Sequence, residues 1–221
     1  MEDIVTEDRV ELFNQWASTY ERSIRGPRGF PFEGYSDVQA TIVDLSHVTA
    51  SMSVLDLGTG TGNLASLFAE LGCNVYGVDF SESMLQQART KVPTATFMLA
   101  DLRTEFPSPA EGRFDRVVSA YVLHEFDPAA RVAMLEGLFL KYLQPSGLLV
   151  IGDISFPSVR VRDGAKLRWK EKWDDAEYYW AEDETRELLT GKNMRVKYTQ
   201  VSSCAGVYVF QLKTEDQGPP G

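Results

Sequence analysis

Cysteine and histidine are scarce in this 221-residue chain, at two of each, and every scarcity removes a class of chemistry. Cys73 and Cys204 stand far apart, both in strand-like contexts, so buried, reduced thiols are expected rather than a disulfide framework. No C-x-x-C or H-E-x-x-H spacing occurs, and no metal site is expected. Basic residues are outnumbered, 22 Lys and Arg against 32 Asp and Glu, for a net charge of −10. That balance argues against nucleic acid as a partner, because phosphate contacts need clustered cations. No apolar run approaches the roughly 18 residues of a membrane span, so no membrane partner is expected. The opening Met1-Glu2-Asp3 lacks the basic and apolar regions of a signal peptide, and a cytoplasmic location is expected.

What is present is a full complement of core residues, 43% hydrophobic, enough for one domain, with no internal repeat. The stretch that organises it is Val54-Leu55-Asp56-Leu57-Gly58-Thr59-Gly60-Thr61-Gly62-Asn63-Leu64. A short apolar run ends in three alternating glycines, after which Leu64, Leu67, Phe68 and Leu71 recur at helical spacing, so a strand becomes a helix there. Glycines at such a turn admit positive φ and let a ligand approach the main chain, while the helix offers free N–H groups. A second strand ends in Asp79, twenty-one residues past Gly58, about where an acid takes ribose hydroxyls in nucleoside-binding folds. The dinucleotide fingerprint G-x-G-x-x-G would need glycine at position 63, where Asn63 stands. Asp56, beside the turn, would also repel a pyrophosphate; it suits a ligand carrying positive charge.

Downstream, helix and strand alternate: helix 62–71, strand 74–79, helix 82–91, strand 95–100, strand 114–120, helix 128–143 and strand 147–153. This pattern predicts an α/β fold with a parallel sheet covered on both faces. Ser81 reads as a helix N-cap. Residues 104–109 read as a proline-broken loop, and Asn193–Ser203 with Ala205–Lys213 as a tight hairpin. Ahead of the glycine turn, residues 6–23 carry a helical apolar stripe, followed by a Gly- and Pro-rich hinge at 25–31 and a helix from about Tyr35 to His47. His47, at that helix end, reads as structural.

The block VLDLGTGTGNLA, together with GVDFSESML, Ala100-Asp101-Leu102, FDRVVSAYVLHEF and LQPSGLLVIGDI, resembles class I S-adenosylmethionine-dependent methyltransferases. Within them it is most similar to the small bacterial YrrT-like group, from about Leu12 to Lys213. The resemblance implies a Rossmann-like, mostly parallel seven-stranded sheet with a C-terminal antiparallel hairpin and N-terminal lid helices. It implies S-adenosylmethionine as cofactor, Asp101 on the adenine amino group and Leu102 on its ring. Trp16 and Tyr20 match the W-A-x-x-Y signature of helices that cover the cofactor. The expected organisation is a single domain over 1–213: lid helices at 1–50, a cofactor core at 51–157, a helical segment over the acceptor at 158–190 and the hairpin at 191–213. Residues 214–221 are expected to be a disordered tail.

Ligands of open α/β sheets bind beyond the carboxyl ends of strands. The expected cofactor residues are therefore Asp56, Gly58, Gly60, Gly62, Asp79 with Phe80 and Met84 beside the adenine, Asp101, Leu102 and Ser119, with Trp16 and Tyr20 above. The segment Ser119 to Phe126 follows the fourth strand, where an acceptor would meet the methyl group. It lacks the [DN]-P-P-[YF] that base and some amide methyltransferases carry at this point, which argues against a DNA base. Tyr121, His124 and Asp153 are the candidate catalytic residues: His124 for taking a proton or for packing, Asp153 for orienting an acceptor or capping N–H groups. Trp169, Trp173, Ala176 and Trp180 fall at i, i+4, i+7 and i+11, predicting one helical face and an aromatic wall over the site. Six Lys or Arg between Arg160 and Lys172 precede seven acids between Asp174 and Glu187; they are solvated charges or dimer contacts, so monomer and homodimer both stand. The reading favoured is methyl transfer to a small-molecule acceptor. A protein acceptor would need an open groove beside Tyr121, and a non-catalytic cofactor binder would turn nothing over. A nicotinamide oxidoreductase is the outside alternative.

Overall fold

The computed structural model describes residues 29–103 and 113–213. The expectations for Trp16, Tyr20, the helix at 6–23, the loop at 104–109 and the tail at 214–221 lie outside the described residues. After α1 (Tyr35–Ser46) the chain alternates β1 (Ser53–Leu57), α2 (Asn63–Glu70), β2 (Asn74–Asp79), α3 (Glu82–Lys91) and β3 (Thr96–Leu99). It resumes with β4 (Phe114–Ala120), a 3₁₀ turn at Leu123–Glu125, α4 (Pro128–Lys141), β5 (Leu143–Phe156) and α5 (Val159–Arg168). Then come β6 (Trp180–Ala181), α6 (Glu182–Leu188), β7 (Met194–Gln200) and β8 (Ala205–Leu212). The strands run β3-β2-β1-β4-β5-β8-β7, with β6 paired to the end of β5 off this path. All pairings are parallel except those of β8 with β5 and with β7, so the Rossmann-like sheet with a C-terminal antiparallel pair is as the resemblance implied.

Side-chain alternation explains how one sheet holds two cores. Leu55, Val117 and Leu149 face α4 and the β7–β8 side in one apolar cluster, while Val54, Val118 and Val150 pack with α1 and α2 residues such as Ile42 and Phe68 in the other. Helix starts are set locally. Ser81 Oγ accepts the Met84 N–H at 3.2 Å, and Asp127 caps α4 ahead of Pro128, which needs no N–H there. His47 sits in the left-handed C-cap of α1, and the Arg116 guanidinium donates to the Ser46 and His47 carbonyls.

The strand order reverses between β1 and β4: from β1 the chain moves outward to β2 and β3, then returns to the other side of β1. Such a switch point leaves a crevice at the carboxyl ends of β1 and β4. The expected helical face of Trp169, Trp173, Ala176 and Trp180 does not exist. α5 ends at Arg168, and Trp180 lies in β6. The main chain of β5 at Ser155 and Phe156 accepts β6 as a parallel neighbour, so a long-range pairing overrides the local period. The aromatics go to opposite sides of the sheet. Trp169 and Trp173 stack on Phe30, with ring centroids 4.9 and 5.7 Å away, whereas Trp180 packs on Tyr208 at 4.8 Å.

Candidate active site

The glycine turn leaves β1 with Gly58, Gly60 and Gly62 at φ 65°, 53° and 81°, a left-handed region that penalises side chains. Each glycine also has its own spatial reason. A Cβ on Gly58 would fall 2.4 Å from a Val122 methyl, and one on Gly62 would fall 3.1 Å from Ala88 Cβ, whereas one on Gly60 would meet nothing within 4 Å. Gly58 and Gly62 are therefore small for packing, and Gly60 is bare toward open space. The close approach of Val122 also brings the segment after β4 against the turn.

Asp79 ends β2 and is 6% exposed. Its Oδ2 accepts the Gly60 N–H at 2.9 Å and its Oδ1 the Ser81 N–H at 2.9 Å, so the carboxylate is held between the glycine turn and the start of α3. Burial pushes its carboxyl up to about 6, opposed by those N–H groups. Asp79, Gly58, Gly60, Phe80, Met84, Asp101 and Leu102 line one cleft. Asp101 is held by Arg103, whose Nη2 lies 2.7 Å from Oδ2; these bonds outweigh burial and keep the carboxyl below its usual value.

Three expected cofactor residues stand apart from this wall: Gly62, which lines neither cavity and, at the start of α2, packs against Ala88, Asp56 and Ser119 being the others. Asp56 is buried beneath the turn, its Oδ2 accepting the Thr59 hydroxyl at 2.7 Å, and burial pushes it up to about 7. It lines a smaller hollow beside Gly58, Gly60, Tyr35 and Asn63. Ser119 lines neither cavity: its hydroxyl donates to the Leu57 carbonyl at 2.9 Å and ties β4 to β1.

The same cleft is also lined by Phe32, Tyr121, Val122, His124, Glu125, Phe126 and Glu177, and the Glu125 charge is felt by Asp79 and Arg103. Tyr121 takes φ 59°, which is strained for a residue with a Cβ. Its ring stacks on Tyr35 at 5.3 Å and meets Phe32 edge-on at 5.5 Å. The phenol is buried with no hydrogen-bond partner among the described residues, burial raises its pKa far above the usual value, and the residue lines the cleft.

His124 is the centre of a buried network. Its Nδ1 lies 2.6 Å from Asp153 Oδ1 and its Nε2 3.5 Å from Glu177 Oε1. Burial alone would push the imidazole down, but the Asp153 charge and hydrogen bond, joined by Glu177, raise it to about 10. Asp153 is fully buried and does not line the cleft. Its Oδ2 accepts the His124 backbone N–H and the Trp180 Nε1–H, both at 3.0 Å, and its Oδ1 accepts the Ile154 N–H at 2.8 Å. Arg131, also buried, lies 4.1 Å over the Trp180 ring. Asp153 thus orients His124 from behind.

Glu125, Glu177 and Arg131 were missed by the sequence reading. Glu125 lay within the block read for His124, but no periodicity marks Glu177, which reaches the cleft because β6 pairs with β5 and the Tyr178 N–H donates to the His124 carbonyl at 2.7 Å.

A family model described as a methyltransferase domain matches residues 54–147. An uncharacterized methyltransferase of Bacillus velezensis is 33% identical over 161 residues, covering 71% of this chain and 72% of that protein. The uncharacterized methyltransferase YrrT of Bacillus subtilis is 28% identical over 202 residues, covering 86% and 92%. Among solved structures, a DhpI-SAM-HEP complex superposes with a TM-score of 0.73 at 18% identity, covering 96% of this chain and 99% of that one. Magnesium protoporphyrin IX methyltransferase of Synechocystis with bound SAH superposes at 0.66 and 21% identity, covering 94% and 99%.

Proposed function

The chain belongs to the methyltransferase family of these Bacillus relatives, and from that premise we propose that it transfers a methyl group from S-adenosylmethionine to a small-molecule acceptor. The observation that carries the reading is the continuity of one cleft from Asp79 and the bare Gly60 to the chamber of Tyr121 and His124. The residues present fit the cofactor. Asp79 keeps acceptor capacity for ribose hydroxyls beyond the backbone N–H groups of Gly60, Ser81 and Phe80. Phe80, Met84 and Leu102 offer apolar faces to a base, and the buried Asp56 hollow suits the amino-acid end. Asp101 would share its carboxylate between Arg103 and the adenine amino group.

When bound, the cofactor supplies a methyl group already activated on a sulfonium. The protein's work is to align a nucleophile with the S–CH₃ axis and exclude water. Tyr121 and Phe32 form a fixed wall, and Asp153 sets the His124 ring against the chamber.

The test is an acceptor screen read as S-adenosylhomocysteine released, with small molecules and unfolded peptides in parallel. Transfer to small molecules is expected. Labelling of peptides alone would replace the acceptor class, and tight cofactor binding with no turnover would favour a non-catalytic binder.

A further inference from the structure

Resting on the methyltransferase reading, we propose that the acceptor is an amine, held by Glu125 and Glu177 among the rings of Phe32, Tyr121 and Phe126. The charge inventory of the chamber points that way. The carboxylates of the cleft are Asp79, Asp101, Glu125 and Glu177, and its cations among the described residues are Arg103 and His124. Arg103 is bound to Asp101 through Nε at 2.9 Å and Nη2 at 2.7 Å. His124 is bracketed by Asp153 and Glu177. Carboxylates outnumber cations along the cleft and both cations are already paired, so an anionic acceptor meets an excess of negative charge, whereas a cationic or polarised nitrogen meets carboxylates and aromatic faces, the surroundings that favour ammonium groups.

The second argument concerns the proton. Both ring nitrogens of His124 face carboxylate oxygens, which accept and do not donate, so the ring holds a proton on each nitrogen. An imidazolium cannot take a proton from a hydroxyl acceptor. An amine bound beside Glu125 and Glu177 passes its ammonium proton to one of these carboxylates, and from there to solvent, which frees the lone pair without His124. That lone pair forms the N–CH₃ bond as the S–CH₃ bond breaks and its electrons stay on sulfur. The unit positive charge moves from sulfur to nitrogen, toward Glu125 and Glu177, and the new ammonium then keeps its proton or releases it to solvent. The carboxylates therefore lie where charge develops, which is where fixed charges accelerate a reaction.

Matched panels of alkyl and aralkyl amines, neutral alcohols and phenols, and alkyl phosphonates and carboxylates would be assayed with the full chain. The readouts are S-adenosylhomocysteine release and product mass, with cofactor affinity measured in parallel by calorimetry. Expected is kcat/KM for amines at least about tenfold above the anions, and a further loss of about tenfold for amines in Glu177→Gln at unchanged cofactor affinity. Glu125→Gln is the second variant should the first not fold. Equal or better transfer to phosphonates, carboxylates or phenols would overturn the amine assignment, as would glutamine variants with parental amine kinetics. Absent cofactor binding in the parent would instead bring down the reading beneath it, and calorimetry tells the two apart.

Discussion

His124 and Trp180 show what one side chain does when its neighbours are chosen by the fold. In an unfolded chain the imidazole titrates near 6.5; between Asp153 and Glu177 it is raised to about 10. The folded state holds the proton more tightly, so the stability this adds is complete below a pH of about 6.5 and is lost as pH climbs through about 10. Thermal melts across that window should fall with rising pH, and His124→Gln should flatten the decline. Trp180→Phe should keep the ring packing on Tyr208 but strip one donor from the fully buried Asp153. A loss of about 2 kcal/mol in urea unfolding is expected, and an unchanged midpoint would mean that the bond adds nothing. Residues of this kind were unequally legible. Asp79 stood out because its distance from the glycine turn is a covalent property of the chain. Trp180 was placed on the wrong surface because its partner, Asp153, is 27 residues away.

At the scale of the element, the glycine turn separates packing from ligand access. Gly58→Ala places a methyl against Val122 in a left-handed backbone, whereas Gly60→Ala has only the backbone cost, since its methyl enters open space. Gly60→Ala should lose about 1 kcal/mol of stability with a clear loss of S-adenosylmethionine affinity, and Gly58→Ala should lose considerably more stability. Calorimetry and denaturant titration on the two variants check the contrast; equal destabilisation would refute it. The turn was readable because positive φ selects glycine locally. The stretch from Trp169 to Trp180 was not. Large aromatics are buried at any spacing, and an i, i+4, i+7, i+11 series arises without a helix when β5 offers a free edge to Trp180–Ala181.

For the whole molecule, the alternation of strands and helices carried the sheet, since parallel strands must be covered on both faces and each element is short enough to show its period. The cofactor end of the cleft was legible for the same reason: strand ends converge at the switch point whatever the loops contain. The acceptor end depends on pairings across the sheet, and Glu177 had no local signature. This division predicts separable thermodynamics. A ligand that binds only the native state stabilises it by about 2.7 kcal/mol at a hundredfold excess over its Kd, and for a chain of this size each kcal/mol raises Tm by about 2–4 °C. Saturating S-adenosylmethionine should therefore raise Tm by roughly 5–10 °C. Asp79→Ala should abolish that rise at the same concentration, because the ribose loses its carboxylate. Glu177→Gln should preserve it in full, because Glu177 faces His124 whereas Asp79 is bound to the glycine turn and the start of α3. If the Glu177 variant lost the cofactor shift as completely as the Asp79 variant, the cleft would not divide into a cofactor end and an acceptor end, and the amine site would have to be sought elsewhere.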